Sequence, residues 1–313
     1  MHPKEDINVV NNNARPFLKW AGGKSQLLSQ IKEYFPDKLK KGKLTKYVEP
    51  FTGGGAVFFE VSKSFSFEQI VLNDINEELI LTYKVIRDSV DELILKLERL
   101  EERYSSLTME NKQKMYYEIR EQFNNNKHSI NLKNPTVNEV DVASHMIFLN
   151  KTCYNGLYRL NSKGGFNVPF GKYKSPTICD KINLLNVSRS LQGVILLNVD
   201  FEQLTDYIDE NTFVYMDPPY RPLSDTSSFN SYQKSPFNDE SQRRLANWYR
   251  LLNNKIGASL MLSNSDPTNT DPKDTFFEDL YKGFNIYKVF ASRAINSRGN
   301  ERGAISELLI TNG

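Results

Sequence analysis

Cysteine and histidine are scarce in this 313-residue chain, which has two Cys (Cys153, Cys179) and three His (His2, His128, His145). Two cysteines cannot build a metal cluster of Cys pairs, and no His has a partner at ligand spacing. Zinc chemistry and a Ser-His-Asp mechanism are therefore disfavoured, and no metal is implied. So little cysteine suits a reducing cytoplasm. No apolar run approaches a membrane span, and the polar N-terminus, MHPKEDINVVNNNARP, is no signal peptide. Net charge is also small: 40 basic against 38 acidic residues give +2, which neither demands nor forbids a polyanionic partner. The composition, 39% hydrophobic and 12% aromatic, is that of a globular chain long enough for a substantial core.

Residues 1–15 read as a flexible arm. Gln26 to Phe35 has helical spacing at Leu27, Leu28, Ile31 and Phe35, and Lys38 to Lys46 reads as a solvated basic connector. Strand signals fall at Tyr47-Val48, Gln69 to Leu72, Val194 to Val199, Phe213 to Met216, Ala258 to Leu262 and Glu307 to Ile310, with a helix over Asp239 to Leu252. Glu77 to about Ser129 is helical and highly charged. The simplest architecture is an α/β, doubly wound sheet domain formed by 16–77 and 191–313, with a mainly helical domain inserted at 78–190.

Gly53, Gly54 and Gly55 follow the first strand, where open α/β sheets bind ligands, and Asp74 ends the next strand about twenty residues on. A carboxylate there reaches a ribose diol. Phe58 stands where a dinucleotide fingerprint has its last Gly, and the charge of Glu49 would repel phosphate. A cationic or zwitterionic nucleoside such as S-adenosylmethionine suits the loop, although a tight turn with a helix-capping Asp explains this motif equally well. Ala21 to Ser25 (AGGKS) has Leu18 where a Walker A loop needs Gly, which leaves a P-loop ATPase the weakest reading; the Gly-Gly-Lys turn can still hold a carboxylate through Lys24.

The sharpest signal is FVYMDPPY, Phe213 to Tyr220. Two prolines make a rigid corner with free carbonyls, and Asp217 and Tyr220 point into one crevice. Carboxylate, carbonyl and aromatic face together fit a planar amine. The exocyclic amine of adenine is a poor nucleophile because its lone pair is delocalised. Two acceptors on its protons favour a pyramidal nitrogen, so catalysis is largely positioning and electrostatics. No Pro-Cys pair is present, which argues against methylation of a pyrimidine carbon.

With FLKWAGGK (17–24), VEPFTGGGAVF (48–58), LNDIN (72–76), CYNGLYRLNSKGGFNVPFGKY (153–173), NVDF (198–201) and VYMDPPY (214–220) in this order, nearly all of 15–312 resembles the Dam family of DNA adenine-N6 methyltransferases, in the α-group arrangement. The resemblance implies a Rossmann-like S-adenosylmethionine-dependent methyltransferase sheet. By it, Trp20, Ala21 and Lys24 hold the donor with Pro50, Phe51 and Gly53. Asp74 takes the ribose hydroxyls, Ile75 packs on the donor's adenine, and Asp200 and Phe201 meet that adenine from the next strand. Asp217, Pro218, Pro219 and Tyr220 receive a flipped target adenine, Asp217 also bordering the donor.

The resemblance assigns the inserted domain to target recognition in double-stranded DNA at GATC. Across 151–174 the charged residues are Lys151, Arg159, Lys163, Lys172 and Lys174, with no acid, interleaved with Tyr154, Tyr158, Phe166, Phe170 and Tyr173. This patch is balanced by the acids between Glu77 and Glu121. Basic residues set register on phosphates, while base edges supply sequence. Arg159 matches a position that reads guanine and Tyr154 an aromatic that enters the stack. Asn155, Leu157, Pro169 and Tyr173 match further DNA contacts, as does Lys19 from the catalytic domain. Residues 221–238 read as mobile, closing only on substrate, with no role assigned.

The expected protein is a cytoplasmic enzyme of bacterial or phage type. A cognate restriction endonuclease could be encoded nearby, but no stable protein partner is implied. Methylation of cytosine N4 or of a protein glutamine is the alternative enzyme reading, although those families favour Ser or Asn before Pro-Pro. A non-catalytic DNA-binding module is disfavoured by intact Lys24, Asp74 and Asp217.

Overall fold

The computed structural model describes residues 13–133, 136–221, 237–291 and 305–313. Its strands are Lys46–Glu49 (β1), Gln69–Asn73 (β2), Ile195–Leu197 (β3), Thr212–Met216 (β4), Ser259–Ser265 (β5), Asn285–Ala291 (β6) and Ile305–Thr311 (β7). They form one seven-stranded sheet in the order β3-β2-β1-β4-β5-β7-β6. The strands β3, β2, β1, β4 and β5 are parallel, while β7 runs antiparallel to β5 and β6. Strand order reverses at β1, whose neighbours are β2 and β4, so a crevice opens at the carboxyl ends of these three strands. Because β7 is antiparallel, its first residues also lie at that edge, with Glu307 opposite Ser265 at the end of β5.

Successive strand residues face opposite sides of the sheet. Tyr47, Leu72, Phe213, Tyr215 and Met261 belong to one core, which continues into Leu93, Tyr116 and Phe148 of the helical region. Val48, Val71, Val214, Leu260 and Leu262 pack on the other side with Leu245 and Trp248.

The helices are Leu28–Glu33 (α1), Asp37–Lys40 (α2), Ala56–Ser64 (α3), Glu77–Asp88 (α4), Val90–Ser106 (α5), Met109–Asn126 (α6), Val137–Thr152 (α7), Lys181–Ser190 (α8), Asp239–Leu251 (α9) and Phe276–Leu280 (α10). Local chemistry sets their starts. The Asn76 side chain accepts from Leu79 N to cap α4, Thr136 and Glu139 form a capping box on α7, and Asn238 caps α9. Leu93, Leu97 and Tyr104 lie along one face of α5 and are buried.

Four local expectations change. The helical reading over Gln26 to Phe35 resolves into a 3-10 turn, Lys24–Gln26, followed by the short α1. The basic connector contains α2, anchored by buried Leu39. Strand β6 lies outside the strand signals given above, although Ile286, Tyr287, Val289 and Phe290 are strand formers. The N-terminal arm does not extend to residues 14 and 15: Ala14 is buried, and Arg15 donates through N to Asn183 Oδ1 (3.0 Å) and pairs with Asp180 (2.6 Å) on the start of α8. The remainder of that arm, 1–12, lies outside the described residues. No described helix is long and apolar enough to cross a membrane.

Candidate active site

The loop after β1 is built around Gly53. Its φ is +49°, and a Cβ there would lie 2.8 Å from Trp20 Cδ1, so both conformation and space require glycine. Gly53 N donates to Asp74 Oδ2 (2.9 Å) and Asn76 N donates to Asp74 Oδ1 (2.9 Å). These two bonds fix the carboxylate while leaving each oxygen a lone pair. Burial nevertheless raises Asp74 to about 6, opposed by the same two bonds. Beside it, Ile75 is 52% exposed, a bare apolar surface at the crevice. Asn73, buried at the end of β2, was missed by the sequence reading. Its amide donates to the carbonyls of Pro50 (2.9 Å) and Val199 (3.1 Å), and its oxygen accepts from Val199 N (3.0 Å), tying the ends of β1, β2 and β3 together. That network places Phe51 against Phe201, ring centroids 5.6 Å apart. Asp200 caps the 3-10 turn Phe201–Tyr207 and pairs with Arg244 (2.9 Å), so its carboxylate already has a cationic partner.

The reading of Glu49 needs correction. It is fully buried and accepts from Tyr47 Oη (2.6 Å); burial lifts it to about 8, with Asp217 and Asp74 adding to the rise. At neutral pH it is therefore mostly protonated and cannot repel a phosphate. A carboxyl raised on folding contributes stability that is complete below 4.5 and is lost as pH rises through about 8. Glu49→Gln, which keeps the shape without the titration, is expected to flatten the fall in thermal stability between about pH 4.5 and 8. Parallel melting curves of wild type and variant across that range would contradict the assignment.

Lys24 joins the Gly-Gly-Lys turn to the Asp-Pro-Pro-Tyr corner. Only 2% exposed, it donates from Nζ to the Gly22 carbonyl (2.9 Å), Asp217 Oδ1 (2.7 Å) and Tyr220 Oη (2.7 Å). The turn does hold a carboxylate, and it is that of Asp217. Burial raises Asp217 to about 6 although Lys24 pulls it down; nearby Glu307 adds to the rise. Tyr220 Oη in turn donates to Glu307 Oε2 (2.6 Å), which also lies 3.5 Å from Lys24 Nζ. Glu307 is the second residue that the sequence did not disclose. The Pro219 carbonyl accepts from Gln242 Nε2 (3.2 Å), itself held by Asn264 (3.0 Å). No described residue donates to Asp217 Oδ2 or to the Pro218 carbonyl. Arg221 closes its far side, bound to Asp239 (2.7 Å) and Asp274 (2.6 Å). Most of the expected mobile segment, 222–236, lies outside the described residues.

The basic loop is organised by α6 and α7. Asn124 bonds both the N–H and the carbonyl of Phe166, and Tyr116 Oη donates to the Val168 carbonyl (2.7 Å). Isolated bridges pair Cys153 with Phe170 and Leu160 with Phe166. Tyr158, Phe166 and Phe170 are buried, so these three aromatics hold the loop in the core and present no face to a partner. Tyr154 is 54% exposed. Its N–H donates to the Pro169 carbonyl (2.9 Å), and Asn155 N donates to Tyr173 Oη (3.2 Å). Lys19 Nζ lies 5.9 Å from the Tyr173 ring, so Lys19, Tyr154, Asn155 and Tyr173 form one group. Arg159 is half-buried, its Nε held by Asn167 Oδ1 (2.8 Å), and Leu157 packs against the core.

The two regions meet along one strap. Trp20 lies over Gly53 and stacks on Tyr158 with centroids 5.3 Å apart. Asn150 accepts from Lys19 N (2.9 Å) and donates to the carbonyls of Lys19 (2.9 Å) and Gly156 (3.0 Å). Gly156, at φ +65°, would place a Cβ 2.5 Å from Lys19 Cδ.

A doubly wound sheet with a glycine loop after β1, a carboxylate after β2 and Asp-Pro-Pro-Tyr after β4 defines a methyltransferase for an amino group. A family model described as D12 class N6 adenine-specific DNA methyltransferase matches residues 20–295, and the chain belongs to that family. It is 52% identical to the Type II methyltransferase M.MjaIII of Methanocaldococcus jannaschii, over 95% of this chain and 99% of that one. The Type II methyltransferase M1.LlaDCHI of Lactococcus lactis subsp. cremoris is 37% identical over 96% of each. The DNA adenine methylase of Haemophilus influenzae is 31% identical over 99% of this chain and 97% of its own. The protein is thus an adenine-specific DNA methyltransferase, which implies a methyl donor and a DNA substrate.

Proposed function

We propose that the donor is S-adenosylmethionine and that the target is the adenine of GATC in duplex DNA, methylated after the base is flipped. The meeting of Asp217 and Tyr220 at one buried lysine, beside the Gly53–Asp74 loop, carries this reading. The residues fit the donor: Asp74 keeps lone pairs for a diol, Ile75 offers an apolar face, and the acidic crevice favours a cationic sulfonium. Trp20, Ala21, Pro50, Phe51 and Phe201 would complete its walls. Asp200 and Lys24 would border it while bound to Arg244 and Asp217 respectively. When bound, S-adenosylmethionine supplies the electrophilic methyl group. Asp217 Oδ2 and the Pro218 carbonyl accept the two protons of the adenine amine, localising its lone pair, while Pro219 shapes the corner and Tyr220 stacks on the ring.

Residues 78–190 serve as the target-recognition unit, inserted in a catalytic unit of 16–77 and 191–313. Tyr154 enters the base stack, Lys19, Asn155, Leu157, Pro169 and Tyr173 line the DNA, and Arg159 reads guanine. Duplexes with and without GATC, incubated with labelled donor and then cut with nucleases of opposite methyl sensitivity, test the whole reading. Label in a duplex lacking GATC, with GATC duplex unlabelled, would overturn the specificity. Arg159→Ala is expected to lose about 1–3 kcal/mol of discrimination at one G·C pair. An unchanged ranking of near-cognate duplexes would remove Arg159 from that role.

A further inference from the structure

We propose that Glu307 is a positioning residue for methyl transfer, holding Tyr220 and Lys24 in the geometry that presents Asp217 to the target amine. This rests on the reading of the Asp-Pro-Pro-Tyr corner given above. Glu307 sits at the start of β7, and only the antiparallel direction of that strand brings it to the edge where β4 ends. Its side chain is 16% exposed, and Oε2 accepts from Tyr220 Oη at 2.6 Å. A tyrosine whose hydroxyl accepts from one ammonium and donates to one carboxylate has its ring fixed at both polar partners. The ring's plane is then set before a base arrives.

Glu307 has a second effect through Lys24. All three Lys24 protons are directed, to Gly22, Asp217 and Tyr220, and the Glu307 carboxylate lies 3.5 Å from the same nitrogen. Lys24 therefore has two carboxylates close by. When Asp217 turns its density toward an amine, Glu307 still neutralises the buried ammonium and keeps it in place. Without Glu307, Lys24 and Asp217 would pair more tightly with each other, and the Tyr220 hydroxyl would lose its acceptor.

The test uses the full chain, cognate duplex and a second duplex with 2-aminopurine at the target position. Glu307→Ala is expected to lower kcat between about 10- and 100-fold, the range for losing a charge-assisted hydrogen bond at a reacting site. Donor and DNA affinities should stay near wild type. The flipped 2-aminopurine should fluoresce more strongly, because its stacking platform is loose. Glu307→Gln, which retains an acceptor for Tyr220 but no charge beside Lys24, should recover part of the rate. Tyr220→Phe leaves Glu307 untouched and supplies an independent arm: combined with Glu307→Ala, it should cost little more than the larger single change. Wild-type kcat in Glu307→Ala, an unaltered 2-aminopurine signal, a Gln variant no better than Ala, or fully multiplicative losses in the double variant would each overturn the proposal. Failure of the donor or target assignment would instead appear in the wild-type enzyme, since every variant is scored against it on the same duplex.

Discussion

Asp217→Ala is expected to slow methyl transfer on the order of 10³-fold at saturating donor and DNA, with donor affinity close to wild type. The division follows from where the parts sit. The expected donor contacts lie chiefly at the ends of β1 and β2, around Gly53, Asp74 and Ile75, whereas Asp217 directly follows β4 and no described residue donates to its Oδ2. Lys24 does not become an orphan charge in the variant, because Tyr220 and Glu307 remain beside it. Asp217→Asn retains one acceptor oxygen and nearly the same volume, so its loss should be smaller, on the order of 10². Full acceptor strength requires an ionised carboxylate. Burial raises Asp217 to about 6 in the free protein, and a bound cation would lower it. Wild-type single-turnover rates should therefore fall as pH drops through or below about 6, and Asp217→Asn should lose that limb. Rapid-mix turnover across this range checks both points, and an Asp217→Ala enzyme at full rate would remove the mechanism.

The parts of the site legible in sequence are those in which chemistry is local. A strand, a glycine turn and a helix occupy consecutive residues at 46–64, and Asp74 and Asp217 each follow their strand directly, so position along the chain reports position at the sheet edge. Glu307 gives no such signal. It reaches Tyr220 across 87 residues only because β7 inserts antiparallel beside β5, and in the sequence it is one acid in an apolar run. The protonation of Glu49 was hidden for a related reason: its charge state depends on complete burial and on Tyr47, Asp217 and Asp74, which only the packed crevice brings together. The aromatics of the basic loop show the opposite error. Tyr154 and Phe166 look equivalent in sequence, but Asn124 and Phe123 of α6 draw Phe166 inward, leaving Tyr154 exposed.

Asn150→Leu is expected to destabilise the fold by about 3 kcal/mol, since it strands the Lys19 N–H and carbonyl and the Gly156 carbonyl that one buried amide now satisfies. Leucine branches at the same atom as asparagine and is larger, so no cavity forms and the loss reports the stranded hydrogen bonds together with some overpacking. The functional consequence should exceed what stability alone predicts. Lys19 and Gly156 are the points where the strap touches the basic loop, and the residue after Lys19, Trp20, spans Gly53 on one side and Tyr158 on the other. Releasing Lys19 lets Trp20 shift in the stack and disturbs the donor loop and the loop that carries Arg159 together. Both donor affinity and discrimination among near-cognate duplexes should therefore decline, whereas Arg159→Ala should alter discrimination alone. Denaturant titration gives the first number, and donor binding measured with and without cognate duplex gives the second. An Asn150→Leu enzyme that is less stable yet retains the wild-type difference between those two affinities would show that the clamp holds the fold but transmits nothing across it.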